Sequence, residues 1–285
     1  MKRHIVLSVL LQLLVFSLPL EAADIERTEE MEKSLHFEGQ GTERLVIVDN
    51  LFGSIEVNGY EGSEVRVRIR KTVTARSAEK MREAEQEVTL EISEEDDVIE
   101  LYVDGPFRDK YRRQNNWKGY RREGYKVKYE FVLEIPEDCS VELKTVDDGD
   151  IVVRAIRGDF DVNNVNGEID MKGLRGSGDV FTVNGKLTAR FEENPKQDCL
   201  FGTINGDVRL YFQPGLSADF YMKTMNGEAY TDFEMAALPV KTTTSSSRNG
   251  KKTYQVDHMT GVRAGSGGPE IELKTLNGDM FILSL

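Results

Sequence analysis

Hydrophobic and polar positions alternate along most of this chain, and the alternation restarts after copies of one short phrase. The first clear copy is Thr145-Val146-Asp147-Asp148-Gly149-Asp150-Ile151. It returns as Asn164-Val165-Asn166-Gly167-Glu168-Ile169, Thr182-Val183-Asn184-Gly185-Lys186-Leu187 and Thr203-Ile204-Asn205-Gly206-Asp207-Val208. Thr224-Met225-Asn226-Gly227-Glu228-Ala229 follows, and Thr275-Leu276-Asn277-Gly278-Asp279-Met280 is the last copy. Apolar residues sit at every second position after each glycine, for example Val208, Leu210 and Phe212, which places them on one face of a strand.

The phrase glycines step by 18, 18, 21 and 21 residues from Gly149 to Gly227, and a fixed period near that length marks stacked repeats. Asn-Gly is also a strong hairpin signal. The half-period glycines Gly158 and Gly176 decide for corners, because 149, 158, 167, 176 and 185 are all nine apart. The pattern predicts an all-β fold: a flattened parallel β-solenoid, β-helix-like, of about six coils. Stacked coils would align Asn166, Asn184, Asn205 and Asn226 into an amide ladder, with Thr182, Thr203 and Thr224 as a second row. The repeat residues Asn166, Gly167, Asn184, Gly185, Asn205, Gly206, Asn226, Gly227, Asn277 and Gly278 are thus structural candidates.

The remaining chain divides around that repeat. Residues 1–22 have a basic start at Lys2 and Arg3, an apolar run from Ile5 to Leu20 and small residues at Ala22-Ala23, the pattern of a signal peptide. A retained membrane anchor is the rival; the run is short and broken by Ser8, Gln12, Ser17 and Pro19, so no transmembrane span is expected after cleavage. Residues 23–41 form a lead-in. Residues 42–135 hold a worn first copy, Asn50-Leu51-Phe52-Gly53-Ser54-Ile55, with a cap and a loop. In the cap, Ala78, Met81, Glu85 and Val88 are at helical spacing, predicting one short capping helix over Ser77–Val88. Strands are expected over Val88–Ser93 and Val98–Val103, with Glu94-Glu95-Asp96-Asp97 as the turn. Residues 136–285 are the repeat itself, with projecting loops expected at Thr242–Gly250 and Gly265–Gly268.

Charge sharpens the picture. Losing Lys2, Arg3 and Glu21 with the leader leaves 35 bases against 49 acids, a net charge of −14. An acidic exported chain repels nucleic acid, so nucleic acid is excluded as a partner. Pro106–Tyr125 runs against this balance, with seven bases and two acids, or +5, among several aromatics. In this projecting loop Trp117 and Tyr120 offer flat faces for a sugar ring. Arg112, Arg113, Arg121 and Arg122 can grip carboxylate or phosphate, so an anionic envelope polysaccharide is the candidate ligand and an envelope protein the other candidate partner. A solvated surface extension is the plainer reading of the same charges.

Other chemistry is thin. Cys139 and Cys199 precede phrases three coils apart, roughly 14 Å of rise, so two free thiols are expected rather than a disulfide. No metal site and no cofactor is expected, since no Cys/His cluster exists and Asp147, Asp148 and Asp150 lack a calcium-binding repeat around them. Arg157-Gly158-Asp159 spells an integrin-binding tripeptide, but its glycine is one the half-period requires. No catalytic residues are predicted.

The run Tyr129-Glu130-Phe131-Val132-Leu133-Glu134-Ile135-Pro136, leading into Thr-Val-Asn-Gly-acid-Ile phrases, resembles the bacterial "putative adhesin" family of domains of unknown function. So does Gly267-Gly268-Pro269-Glu270-Ile271-Glu272-Leu273-Lys274-Thr275-Leu276-Asn277-Gly278. The resemblance covers Leu45 to Leu285 and implies an exported β-solenoid, periplasmic or on the cell surface. The expected function is a non-enzymatic envelope protein, adhesin-like or a scaffold. A periplasmic accessory or sensor binding a protein partner is the alternative, and a polysaccharide-active β-helix enzyme the third.

Overall fold

The structure, a computed structural model, describes residues 24–39, 41, 43–108, 124–239 and 259–285. Those residues form an all-β fold of two mixed sheets that do not close, with a single α-helix among them. The leader predicted over 1–22 and the loop predicted at Thr242–Gly250 lie outside the described residues.

The repeat supplies the middle of both sheets. Its strands are β8 (Ser140–Lys144), β9 (Ile151–Arg154), β10 (Phe160–Asn163), β11 (Ile169–Leu174), β12 (Gly178–Asn184), β13 (Leu187–Phe191), β14 (Cys199–Asn205) and β15 (Val208–Phe212). They alternate between the sheets, and each pairs in parallel with the strand two places along. A nine-residue unit is therefore one strand and one corner, as the glycine spacing requires. Strict alternation buries one side of each strand: Val208, Leu210 and Phe212 are wholly buried while Arg209 and Tyr211 face out. Between the sheets, Phe191 stacks on Phe212 at 5.1 Å, and Phe160, Phe201 and Phe220 pack around them. Burying each such ring contributes about 2–3 kcal/mol.

The worn first copy is present, as β2 (Leu45–Asp49) and β3 (Ile55–Tyr60), which pair in parallel with β8 and β9. Its Asn50 is buried; the amide donates to the carbonyls of Phe52, Gly53 and Tyr129, and its oxygen accepts from Leu51 N. The cap strands pair antiparallel with one another, unlike those of the repeat. Here β4 (Val65–Ala75) lies between β7 (Tyr125–Pro136) and an edge strand, β1 (Ile25–Leu35). The 23–41 lead-in is thus mostly this strand. Helix α1 (Ala78–Glu87) sits where the spacing places it, with Ser77 Oγ accepting from Lys80 N at 3.2 Å as N-cap and Met81 and Ala84 buried. Strands β5 (Thr89–Glu95) and β6 (Val98–Asp104) form the expected hairpin, turning at Asp96 with φ 48°.

The far end holds the main correction. Strands β16 (Ala218–Lys223) and β17 (Ala229–Thr231) carry the phrase at Gly227, and β20 (Glu270–Lys274) and β21 (Met280–Ser284) carry the last one. The later pair inserts between the earlier pair and β14/β15, so the spatial order is 206, 278, 227. Between them in sequence, β19 (Thr260–Ala264) pairs antiparallel with both β16 and β18 (Met235–Ala237), reversing the chain direction before β20. Gly265–Gly268 is a tight turn rather than a projecting loop: Ser217 Oγ donates to Gly267 O at 2.7 Å and accepts from Ser266 N at 3.0 Å.

Candidate functional site

The phrases build a polar column along one edge of the stack. Asn184 donates to Asn166, Asn205 to Asn184, Asn277 to Asn205 and Asn226 to Asn277, each at 2.7 Å. The expected ladder is there, but Asn226 follows Asn277 and not Asn205. The threonines do not bond to one another. Thr182, Thr203, Thr275 and Thr224 each donate to the glycine carbonyl of the adjacent phrase, at 2.9 to 3.2 Å. The acidic residue after the glycine does similar work: Asp150, Asp207 and Asp279 accept from the backbone N of the neighbouring phrase. Replacing Asn205 with Leu strands a donor and an acceptor on its neighbours. Because the row is exposed and water competes, the expected loss is about 1–2 kcal/mol, seen as a lower Tm with ligand binding unchanged. An unchanged Tm would show that the ladder adds nothing.

Three motifs are absorbed by this frame. A Cβ at Gly158 would lie 2.3 Å from Cys139 O, Arg157 pairs with Glu137 at 2.8 Å, and Asp159 accepts from Ser177 N, so the tripeptide is a corner. Asp147 accepts from Asp148 N, and Asp148 pairs with Lys126, leaving these carboxylates engaged. Cys139 and Cys199 are free and buried, at β8 and on β14, with β10 and β12 between those strands. Burial pushes their thiols up to about 12 and about 11, which keeps them protonated and unreactive.

The basic, aromatic loop leaves β6 and returns at β7. Its candidate residues Arg112, Arg113, Trp117, Tyr120, Arg121 and Arg122 lie outside the described residues; its two ends do not. Phe107 is buried edge-on to Phe52 and Tyr125, with ring centroids 6.3 and 6.4 Å away. The Arg108 guanidinium lies 4.3 Å over the Tyr102 ring and donates to Asp49 O and Oδ1 at 3.0 and 2.9 Å. Its side chain is only 7% exposed, so the guanidinium is largely removed from water and fixes the start of the loop. Beside it, a groove of about 310 Å³ lined by Tyr102, Asp49, Lys144, Glu142 and Asn163 opens on the outer face.

The two outer faces differ in sign. On the sheet of β6, β2, β8, β10 and β12, one register row reads Glu100, Ile47, Glu142, Asp161, Asp179. Burial, with Glu142 and Asp179 nearby, raises the Asp161 carboxyl above its ordinary value. On the other sheet, Arg154 stands beside Lys172, Lys172 beside Arg190, and Arg190 beside Tyr211. Asp170 accepts from Arg190 at 2.9 Å and lies 3.6 Å from Arg154, while Lys172 has no ion pair among the described residues. Arg190 sits 4.8 Å over Tyr211; one row away Arg209 sits 4.2 Å over Phe281, on which Tyr230 stacks at 5.2 Å. Sequence reasoning missed this row. Its signal is a constant offset, five residues after Gly149, Gly167, Gly185 and Gly206.

No protein-family model matches the chain, and no curated protein does. Among solved structures, it is similar to a "putative cell adhesion protein" from Clostridium sporogenes ATCC 15579, with 12% identity and a TM-score of 0.42 over 91% of this chain and 100% of that one. It is also similar to a "putative adhesin" from Bacteroides fragilis NCTC 9343, at 10% identity and a TM-score of 0.36, covering 90% and 97% of the two chains. A "putative lipid binding protein" from Parabacteroides distasonis ATCC 8503 matches at 12% identity and a TM-score of 0.31, covering 91% and 96%.

Proposed function

We propose that this chain is an exported, non-enzymatic interaction module of the cell envelope, adhesin-like or a scaffold, built on a flattened parallel β-solenoid. One observation carries the reading. The polar groups of the phrase are turned onto neighbouring coils, while the outward side chains form rows repeated at one strand spacing. Such a surface offers an extended partner many equivalent contacts. No helix of the described residues is long and apolar enough to cross a membrane.

The basic loop is the first contact we assign, to an anionic envelope polysaccharide, held at its base by Arg108 and Phe107. Residues 23–285 should capture polysaccharide from an envelope fraction and leave its chain length unchanged in a depolymerisation assay. Changing Arg112, Arg113, Arg121 and Arg122 together to Ser should weaken capture about tenfold at low salt, with a smaller change at physiological salt, where the Debye length is about 8 Å. Undiminished capture by that variant would remove the loop from the site. Release of shortened polysaccharide would replace the module by an enzyme.

A further inference from the structure

The geometry points to a second, independent contact: the row Arg154, Lys172, Arg190 is a binding track for a linear carboxylated polysaccharide lying along the stack axis. The inference rests on the reading of the chain as an envelope interaction module and names a site and a ligand class for it.

Like charges directly opposite one another across strands are destabilising. Here three cations stand in consecutive register positions, about 4.8 Å apart, with only Asp170 between two of them. The local arrangement breaks an ordinary rule of sheet surfaces without compensation at Lys172, as functional positions do. One row away, Thr188 Oγ1 and Arg209 Nε, neighbours in register, are buried without a hydrogen-bond partner. The row is also cationic on a chain whose expected mature charge is −14, and the opposite sheet face carries the acids.

The occupant follows from the shape and chemistry of the row. Its cations advance by one strand spacing per step, matching a linear polymer with a charge on successive units. Guanidinium edges fit carboxylates, and Asp170 already shows this fit on Arg190. The row then runs on to Tyr211, and the exposed Tyr230 of the edge strand lies one row away, a ring against which a sugar packs. Nucleic acid would meet the net negative body.

The test uses residues 23–285 with polygalacturonate, neutral dextran and phosphatidylglycerol vesicles as probes. Wild-type protein should bind polygalacturonate, more weakly with added salt, and not dextran. Lys172→Glu should bind about tenfold less tightly with an equal or higher Tm, because the reversed charge relieves its two neighbours. Lys172→Arg should bind as wild type. The loop variant with four serines should keep its dependence on Lys172. Equal binding by Lys172→Glu, or binding to vesicles in preference to polygalacturonate, overturns the track. Capture of envelope material without any polygalacturonate binding also overturns the track but leaves the module standing; failure to capture envelope material overturns the module.

Discussion

Deleting residues 270–285 should unravel the stack from within rather than shorten it. In a solenoid whose coils follow chain order, the last coil is an edge and its loss is mild. Here β20 and β21 separate β14 and β15 from β16 and β17, and both sides lose their hydrogen-bonded partner. The deletion also removes Ile271, Leu273, Met280 and Ile282, all at most 1% exposed. At about 1.5–3 kcal/mol each, the four side chains account for roughly 6–12 kcal/mol as an upper figure. Whole domains are stable by only about 5–15 kcal/mol. The expected result is loss of hydrogen-exchange protection across 199–231 and no cooperative melting of that region. A truncated chain melting within a few degrees of the full one would contradict the inserted rung.

The second large effect is expected from a single methyl group. In Gly206→Ala the new Cβ would lie 2.1 Å from Gly185 O. Neither backbone can yield easily, since Gly206 N bonds Asn277 O at 2.9 Å and Gly185 N bonds Asn205 O at 3.0 Å. The same close approach recurs at Gly167, Gly185, Gly227 and Gly278, so a shift at one phrase meets another. Overpacking of this kind costs about 3 kcal/mol or more, against about 1–2 for the exposed Asn205 beside it. Chemical denaturation would measure the difference; a loss under about 1 kcal/mol would mean that neighbouring phrases slide freely past one another.

These glycines explain why so much of the fold could be read before the structure. A phrase that needs no side chain at one point, an amide beside it and a hydroxyl behind it is conspicuous in any sequence. The neighbours of each copy are less conspicuous. Thr224-Met225-Asn226-Gly227 and Thr275-Leu276-Asn277-Gly278 fit against Asn205 equally well, and local pattern gives no reason to prefer the distant one. Strand β1 escaped for another reason. Its Glu26, Arg27, Glu29, Glu30, Glu32 and Lys33 show no apolar alternation, because an edge strand buries little; Leu35 is its one buried residue. Glu30 pairs with Arg70 across the β1–β4 register. The cationic row lay at a fixed offset in plain view, yet only stacking in register turns three separate residues into a row. The loop's six candidate residues rest on composition alone.

The inserted rung also sets an order of events in folding. Neighbouring phrases in the body are linked by amide bonds spanning 18 or 21 residues, whereas Asn277 reaches Asn205 across 72. Closing the longer loop costs only about 1 kcal/mol more in chain entropy than closing one of 21 residues. The delay matters more than this cost, because contacts distant in sequence form slowly. Until residues 270–285 are in place, β14 and β15 lack the neighbours they have in the folded chain, and so do β16 and β17. An open strand edge of that kind is a template for pairing with another chain, and it stays open until the later segment arrives to fill the gap.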